Sequence, residues 1–336
     1  MLRRAVVLLL LAVPVLASPA AVAPAHAVVQ VGIADQKTGF LLDERFAQLG
    51  VRLARISMPY DVLDDPNTLE PVEAWIRGAQ DRRMRVLVTF DRSRRPGRKS
   101  ITPTPAEMAT QLRRIRSRWP WLREFSTWNE GNINKRAERV APLWLALQRA
   151  CPSCTVLGAD LLDRPNAAAW AQRFAKAAGR WPKAWGLHNY VDANRLRTTE
   201  TRKILKGIRG ELWLTETGGV VARNNGSAVR FAGTGNAHAA RATAFLFDRL
   251  VPSSPRITRV YLYHWDTPEG QLTWDSGLVG PDNQPRPALD VLRERLRRLR
   301  LQAARVRASC SRPSASGRPS GRKSAACARP PGRRNR

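Results

Sequence analysis

The chain has 336 residues, 43% of them hydrophobic, enough for one large domain with a sizeable core, and its formal net charge is +30, from 57 Lys/Arg against 27 Asp/Glu. That excess raises the question of nucleic acid. It is dominated by Arg, spread along many amphipathic segments and accompanied by no zinc-finger, P-loop or RNA-platform motif, so specific nucleic-acid binding is set aside in favour of composition bias or generic adhesion to an anionic wall.

At the N-terminus, Met1-Leu2-Arg3-Arg4 is a short positive region, and Ala5 to Leu16 is an apolar run shorter than the roughly 20 residues that span a bilayer. Ala25-His26-Ala27 supplies an A-x-A cleavage site. Residues 1–27 therefore read as a secretory signal, with an uncleaved anchor as the alternative. The product is expected to be secreted or associated with a bacterial cell envelope.

From Val28 to about Arg300, short apolar runs alternate with amphipathic stretches, the pattern of parallel strands joined by crossover helices. The strand candidates are Val29–Ile33, Val51–Ser57, Arg85–Phe90, Glu124–Trp128, Thr155–Asp160, Ala184–His188, Glu211–Thr215 and Arg259–Trp265. Helical patterns fall between them at Leu69–Arg83, Pro105–Arg118, Glu138–Ala150, Asn166–Ala178 and Asn236–Leu250, with Pro287–Arg300 after the last strand. The helices after the first and sixth strands, Asp43–Leu49 and Thr199–Ile208, are the least marked. Eight strand–helix repeats over residues 28–300 predict an α/β fold, a single-domain (β/α)8 TIM barrel. A doubly wound open sheet is disfavoured because no glycine-rich phosphate loop follows the first strand.

From Leu301 onward there are ten Lys/Arg and no acidic residue, and no apolar period survives. Residues 301–336 are expected to form a basic disordered tail. Electrostatic association with an anionic cell surface is one reading of it and a misread end of the gene another. Cys151 and Cys154 follow a helix rather than open one, which favours a local disulfide over redox chemistry. Cys310 and Cys327 could pair within the tail. Asn225-Gly226-Ser227 matches a glycosylation sequon but carries little weight behind a bacterial style of signal.

Barrel enzymes carry their chemistry at the C-terminal ends of the strands. The fourth strand ends in Thr127-Trp128-Asn129-Glu130-Gly131 and the seventh in Leu214-Thr215-Glu216-Thr217-Gly218. Strands four and seven lie on opposite sides of a barrel mouth, so these two glutamates can face each other across a cleft. Retaining glycosidic cleavage needs that arrangement, one carboxyl to protonate the leaving oxygen and a second about 5–5.5 Å away to attack the anomeric carbon. Either glutamate alone could be a solvated loop residue.

These two motifs resemble those of the clan A glycoside hydrolases, the 4/7 superfamily. The stretch Trp274-Asp275-Ser276-Gly277-Leu278-Val279 and the run from Pro281 to Leu289 are similar to the segment that closes such barrels. The likeness spans roughly Gln30 to Arg300 and is strongest with bacterial β-xylosidase-like and endo-β-1,3-glucanase-like families. It implies Glu130 as acid/base, Glu216 as nucleophile and Asn129 as the partner of the substrate 2-hydroxyl. It further implies Arg55 as the strand-two arginine on the nucleophile, His188 and Tyr190 as strand-six residues touching nucleophile and sugar, and Trp265 as a sugar platform after strand eight. Asp91, after strand three, could orient sugar hydroxyls or cap the next segment. Trp119, Trp121, Trp144 and Trp170 fall in or beside helices and read as packing, whereas Trp274 lies in a loop that can line the cleft.

The sequence thus points to a secreted retaining glycoside hydrolase of β-linked oligo- or polysaccharides. A transglycosylase on the same site, or a non-catalytic polysaccharide-binding barrel, are the alternatives. No cofactor motif and no metal-ligand cluster appears, and a monomer is expected. A neutral glucan or xylan is the preferred substrate, with the positive charge keeping an anionic polysaccharide open.

Overall fold

Eight parallel strands form the centre: β1 (Gln30–Ala34), β2 (Leu53–Pro59), β3 (Arg85–Asp91), β4 (Glu124–Ser126), β5 in two segments (Thr155–Leu157 and Asp160–Leu162), β6 (Ala184–His188), β7 (Glu211–Thr217) and β8 (Ile257–Tyr263). They belong to a computed structural model that describes residues 28–311 except 225, 227–229 and 271–272, and except the side chains of 134 and 306–311. β1 pairs with β2 and with β8, and the ladder runs on from β2 through β3 to β4 and from β8 through β7 to β6. The ring closes through β5, whose first segment pairs with β4 and whose second pairs with β6. At the break, Gly158 N donates to Ala184 O at 3.1 Å and Asp160 N donates to Trp128 O at 2.9 Å, so the chain crosses from one neighbour to the other without losing backbone hydrogen bonds. The fold is the (β/α)8 barrel.

The strand interiors face two ways. Outward apolar residues such as Ile56, Val88 and Phe125 pack under the helices in the main core. Inward residues fill the barrel in layers. Ala34, Leu53, Leu87, Leu157, Ala184, Trp213 and Tyr261 make a compact apolar plug. Below it the Arg259 guanidinium lies 3.6 Å from the Trp213 ring and pairs with Glu124 at 2.5 Å, closing the N-terminal end. Above it the layer turns polar, with Arg55, Thr89, Ser126, Asp160 and His188 all buried.

Local signals start and stop the helices. Thr104 caps Pro105–Arg118 in a reciprocal capping box with Glu107, with Pro105 in the first turn. Ala167–Ala178 ends at Gly179, whose φ of 70° is the left-handed conformation that glycine tolerates. Trp144 and Trp170 are buried in this layer, as expected for packing residues. Cys151 and Cys154 form a disulfide after Ala137–Ala150.

The last helix runs from Pro287 to Ser311, so the chain does not lose regular structure at Arg300. Its Leu301–Arg305 stretch is nonetheless largely exposed. The period of the core-facing residues ends near Arg300, and that is the boundary the composition registers. The signal segment 1–27, the Asn225 sequon, the Cys310–Cys327 pairing and residues 312–336 lie outside what the structure describes. Among the described residues no helix is long and apolar enough to cross a membrane.

Candidate active site

The polar top layer of the barrel holds the two glutamates. β4 stops at Ser126, the chain bends at Thr127, and it enters a turn at Asn129, whose N–H donates to Phe90 O at 2.8 Å. Glu130 then adopts φ 47° and ψ 44° before a single turn, Gly131–Asn134. A non-glycine residue in the left-handed region is uncommon and concentrates at functional sites. Here it turns the Glu130 side chain back over the barrel, where Oε1 lies 3.0 Å from His188 Nδ1. Glu216 arrives from the other side, near the end of β7. Its Oε2 lies 3.7 Å from the same His188 nitrogen. The facing carboxylate oxygens can be no further apart than the sum of those two contacts.

Arg55, from the middle of β2, is fully buried below the pair. It donates from Nη1 to Glu216 Oε1 at 2.6 Å, from Nη2 to Asp160 Oδ2 at 2.6 Å and from Nη2 to Asn129 Oδ1 at 3.0 Å. Its Nε donates to Thr89 Oγ1 at 3.0 Å. A planar guanidinium can serve so many acceptors at once because its N–H groups lie in a fixed fork. Asp160 balances it and also accepts from Ser126 Oγ at 2.7 Å and Thr89 Oγ1 at 2.9 Å. Tyr190 donates its hydroxyl to Glu216 Oε2 at 3.3 Å and stands edge-on to Trp274, with ring centroids 4.6 Å apart.

These charges set one another's proton affinities. Burial opposes a charge on His188, but Glu216, Asp160 and Glu130 surround it and raise its pKa from 6.5 to about 10. Burial would lift the Asp160 carboxyl, yet Arg55 and His188 hold it well below the usual carboxylate range. Burial also works to raise Glu130. The hydrogen bond from His188, that ring's charge and Arg55 outweigh it and leave Glu130 below its ordinary value. Burial and Glu216 push the Tyr190 phenol well up, so it remains a hydrogen-bond donor.

The sequence-predicted residues Arg55, Asn129, Glu130, His188, Tyr190 and Glu216 therefore meet in one cluster. Trp265 does not join it. The structure ends β8 at Tyr263, two residues earlier than the sequence pattern suggests. Trp265 is 1% exposed, donates its indole N–H to Asp43 Oδ2 at 2.9 Å and packs edge-on to Phe46. It has no free face for a sugar. Asp91 accepts from its neighbour Arg92 N at 2.7 Å and caps no helix, since the next one is capped by Thr104. Burial raises its carboxyl pKa.

Above the cluster opens a cleft of 530 Å³ lined by both glutamates, Tyr190, Tyr263 and Trp274 among others. That volume is in the range of small-ligand sites. Tyr263 and Trp274 supply the aromatic surface expected of Trp265. Trp274 is held in a two-residue antiparallel ribbon, Trp274–Asp275 against Ala222–Arg223, which joins the loops after β7 and β8. Arg286 anchors the ribbon through Asp275, with contacts at 2.5 and 2.7 Å. Sequence reasoning missed Asp160 and Tyr263, although Asp160 closes the fifth strand as read from the sequence. Among the described residues no group of three or more His, Cys, Asp and Glu is arranged to hold a metal ion.

No protein-family model and no curated protein matches the chain. Solved structures do share its fold. GH5_18 from Streptomyces cattleya, in complex with GlcNAc, has a TM-score of 0.58 at 17% identity, over 82% of this chain and 81% of that one. Xylanase 10B from Thermotoga maritima has a TM-score of 0.57 at 11% identity, over 82% and 97%. A family 39 glycoside hydrolase from Bacteroides cellulosilyticus has a TM-score of 0.56 at 13% identity, over 81% of this chain and 64% of that one. They share the fold of this chain, and the barrel that the two motifs suggest is the barrel observed.

Proposed function

We propose that this protein is a retaining glycoside hydrolase acting on a β-linked oligo- or polysaccharide, secreted or held at the cell envelope. One observation carries the reading: Glu130 and Glu216, from strands four and seven, contact the same nitrogen of His188 across the floor of a cleft. Those contacts cap the gap between the facing oxygens near the lower edge of the roughly 6.5–9.5 Å that inversion needs to admit a water, and direct attack by one carboxylate across about 5–5.5 Å is the reading we take. Neighbours of the same fold described as a xylanase and a family 39 glycoside hydrolase support this reaction class.

In the reaction, Glu216 attacks the anomeric carbon, and the bond from that carbon to the leaving oxygen breaks as the oxygen takes a proton from Glu130. Arg55 aims Glu216 through the 2.6 Å contact from Nη1 to Oε1. Asn129 binds Arg55 through Oδ1, which leaves its amide nitrogen to donate to the sugar. Glu130 must be protonated for this step, yet its resting proton affinity is low because His188 carries the proton 3.0 Å away. Of the charges that raise the His188 pKa, that on Glu216 acts most strongly. As Glu216 becomes a neutral ester that support falls away, and in the same step a proton passes from His188 through Glu130 to the leaving oxygen, leaving Glu130 ionised and His188 neutral. In the second half, Glu130 takes a proton from the water that attacks the ester.

The test is the anomer first released from a chromogenic β-glycoside or β-glucan, followed by proton NMR. A retained configuration is expected, and an inverted first product would remove Glu216 as nucleophile. N-terminal sequencing of secreted material, expected to start near Val28, tests the location. An intact Met1 on a membrane-bound product would show an anchor instead.

A further inference from the structure

The cleft wall beside the catalytic pair carries charge that the reaction does not use. Arg164, just after β5, and Arg223, in the ribbon after β7, line the same cleft as Glu130 and Glu216. Among the described residues neither pairs with a carboxylate, nor does Arg195, which lies near Arg223 and donates to Arg230 O. Arg223 is not loose. Its guanidinium carbon lies 3.9 Å from the Phe231 ring centroid, which orders the plane and leaves the N–H edge to donate. It is linked to the reacting centre through three contacts. Its backbone pairs with Trp274, Trp274 stands 4.6 Å from Tyr190, and Tyr190 donates to Glu216.

A further acid, Asp163, lines the same wall and, among the described residues, pairs with neither cation. Asp163 is 2% exposed and accepts from Val191 N and Asp192 N through Oδ2, while Oδ1 has no partner. Burial first, and the nearby Asp192 among further causes, raise its pKa well above the ordinary value. Burial and then Arg195 lower the proton affinity of Arg223. An oxidised sugar supplies what the wall lacks, a planar anion for the guanidinium fork and a ring oxygen or hydroxyl for the acid.

We propose that the substrate is an acidic glycan, with Arg223 and Arg164 holding the carboxylate of a uronate unit next to the sugar that reacts and Asp163 hydrogen-bonding that unit through its unpartnered Oδ1. This specificity rests on the glycosidase reading of the same cleft and narrows its substrate class. The charge of the whole chain, +30, works in the same direction by drawing polyanions to the mouth.

The experiment compares fragments of glucuronoxylan and of β-linked mannuronate with the same fragments after reduction of their carboxyl groups to alcohols. Binding is read by calorimetry and turnover by released reducing ends, at low and at raised salt. At least one acid form should bind about 10–100-fold tighter than its reduced form, the scale of a charge-assisted pair, and salt should shrink the ratio. Arg223→Gln and Arg164→Gln should each reduce that ratio and the double variant should abolish it. Asp163→Asn, which keeps a hydrogen-bonding group, should retain more of the affinity than Asp163→Val. Equal binding of acid and reduced forms, or a ratio that survives in the double variant, overturns the proposal. Turnover of neutral glycans without selectivity would sink it and leave the hydrolase reading standing. Acid-selective binding without turnover of any glycan would do the reverse.

Discussion

Gly186 on β6 faces the carboxylate of Asp160 so closely that a Cβ on the glycine would sit 1.9 Å from Oδ1. Asp160 is fully buried, accepts from Arg55, Thr89 and Ser126, and so fixes the arginine that holds Glu216. One methyl group would displace this network, because no flexible neighbour can give way. Gly186→Ala should cost about 1–3 kcal/mol of stability and depress kcat without removing any reacting group. Calorimetric melting and kinetics check this, and wild-type values for both would show that Asp160 has room to shift.

Glu216→Ala should lose nearly all hydrolysis, more than the roughly 10²–10⁴-fold expected for loss of general acid–base help in Glu130→Ala. Azide should rescue the two variants with opposite stereochemistry. In Glu216→Ala it attacks the substrate directly and gives an inverted glycosyl azide. In Glu130→Ala it attacks the glycosyl-enzyme and gives a retained one. Product configuration by NMR separates them, and the same configuration from both would break the assignment of roles.

His188 carries a signed pH dependence. Its folded pKa is raised from 6.5 to about 10, so the stability it contributes is fully present below 6.5 and is lost as pH rises through 10. The wild type should therefore lose stability across that window relative to His188→Gln, whose profile lacks this component. Denaturant midpoints at a series of pH values measure the difference. Parallel profiles would mean that the ring is neutral in the folded protein.

Trp265 and Trp274 should separate stability from binding. Trp265→Ala empties a core site against Phe46 and should cost about 3–5 kcal/mol. A surviving Trp265→Phe should keep its KM. Trp274→Ala should fold normally and raise KM, since it removes cleft surface. Melting temperatures and KM values decide, and a raised KM for Trp265→Phe would return that residue to the sugar site.

The strand ends were legible because a barrel strand is a short apolar run whose last residues must be polar to face the mouth. Asn129-Glu130 and Thr215-Glu216 stand out against such runs, and Arg55 and His188 are charged groups inside strands that are otherwise apolar. The eighth strand misled because apolar residues continue past its hydrogen-bonded end. Tyr263 and Trp265 both fit an alternating pattern, and only the position of the break decides which faces the cleft. Asp160 was overlooked because β5 is broken at Gly158-Ala159, and a buried strand acid reads as a terminus. Arg223 and Phe231 come together through a loop whose path has no periodic signature.

The plug of Trp213, Tyr261 and the Arg259–Glu124 pair closes the barrel from beneath. On the proposed mechanism the anomeric centre on Glu216 can then be reached from one side only, and water and any acceptor sugar must queue at the same doorway. Whether the intermediate is hydrolysed or passed to another sugar is therefore decided by occupancy of the outer cleft. A long residence of the leaving sugar there would turn a hydrolase into a transferase with no change in its catalytic groups. Dilution of the acceptor, rather than mutation of the glutamates, is the variable that should shift the balance between the two products.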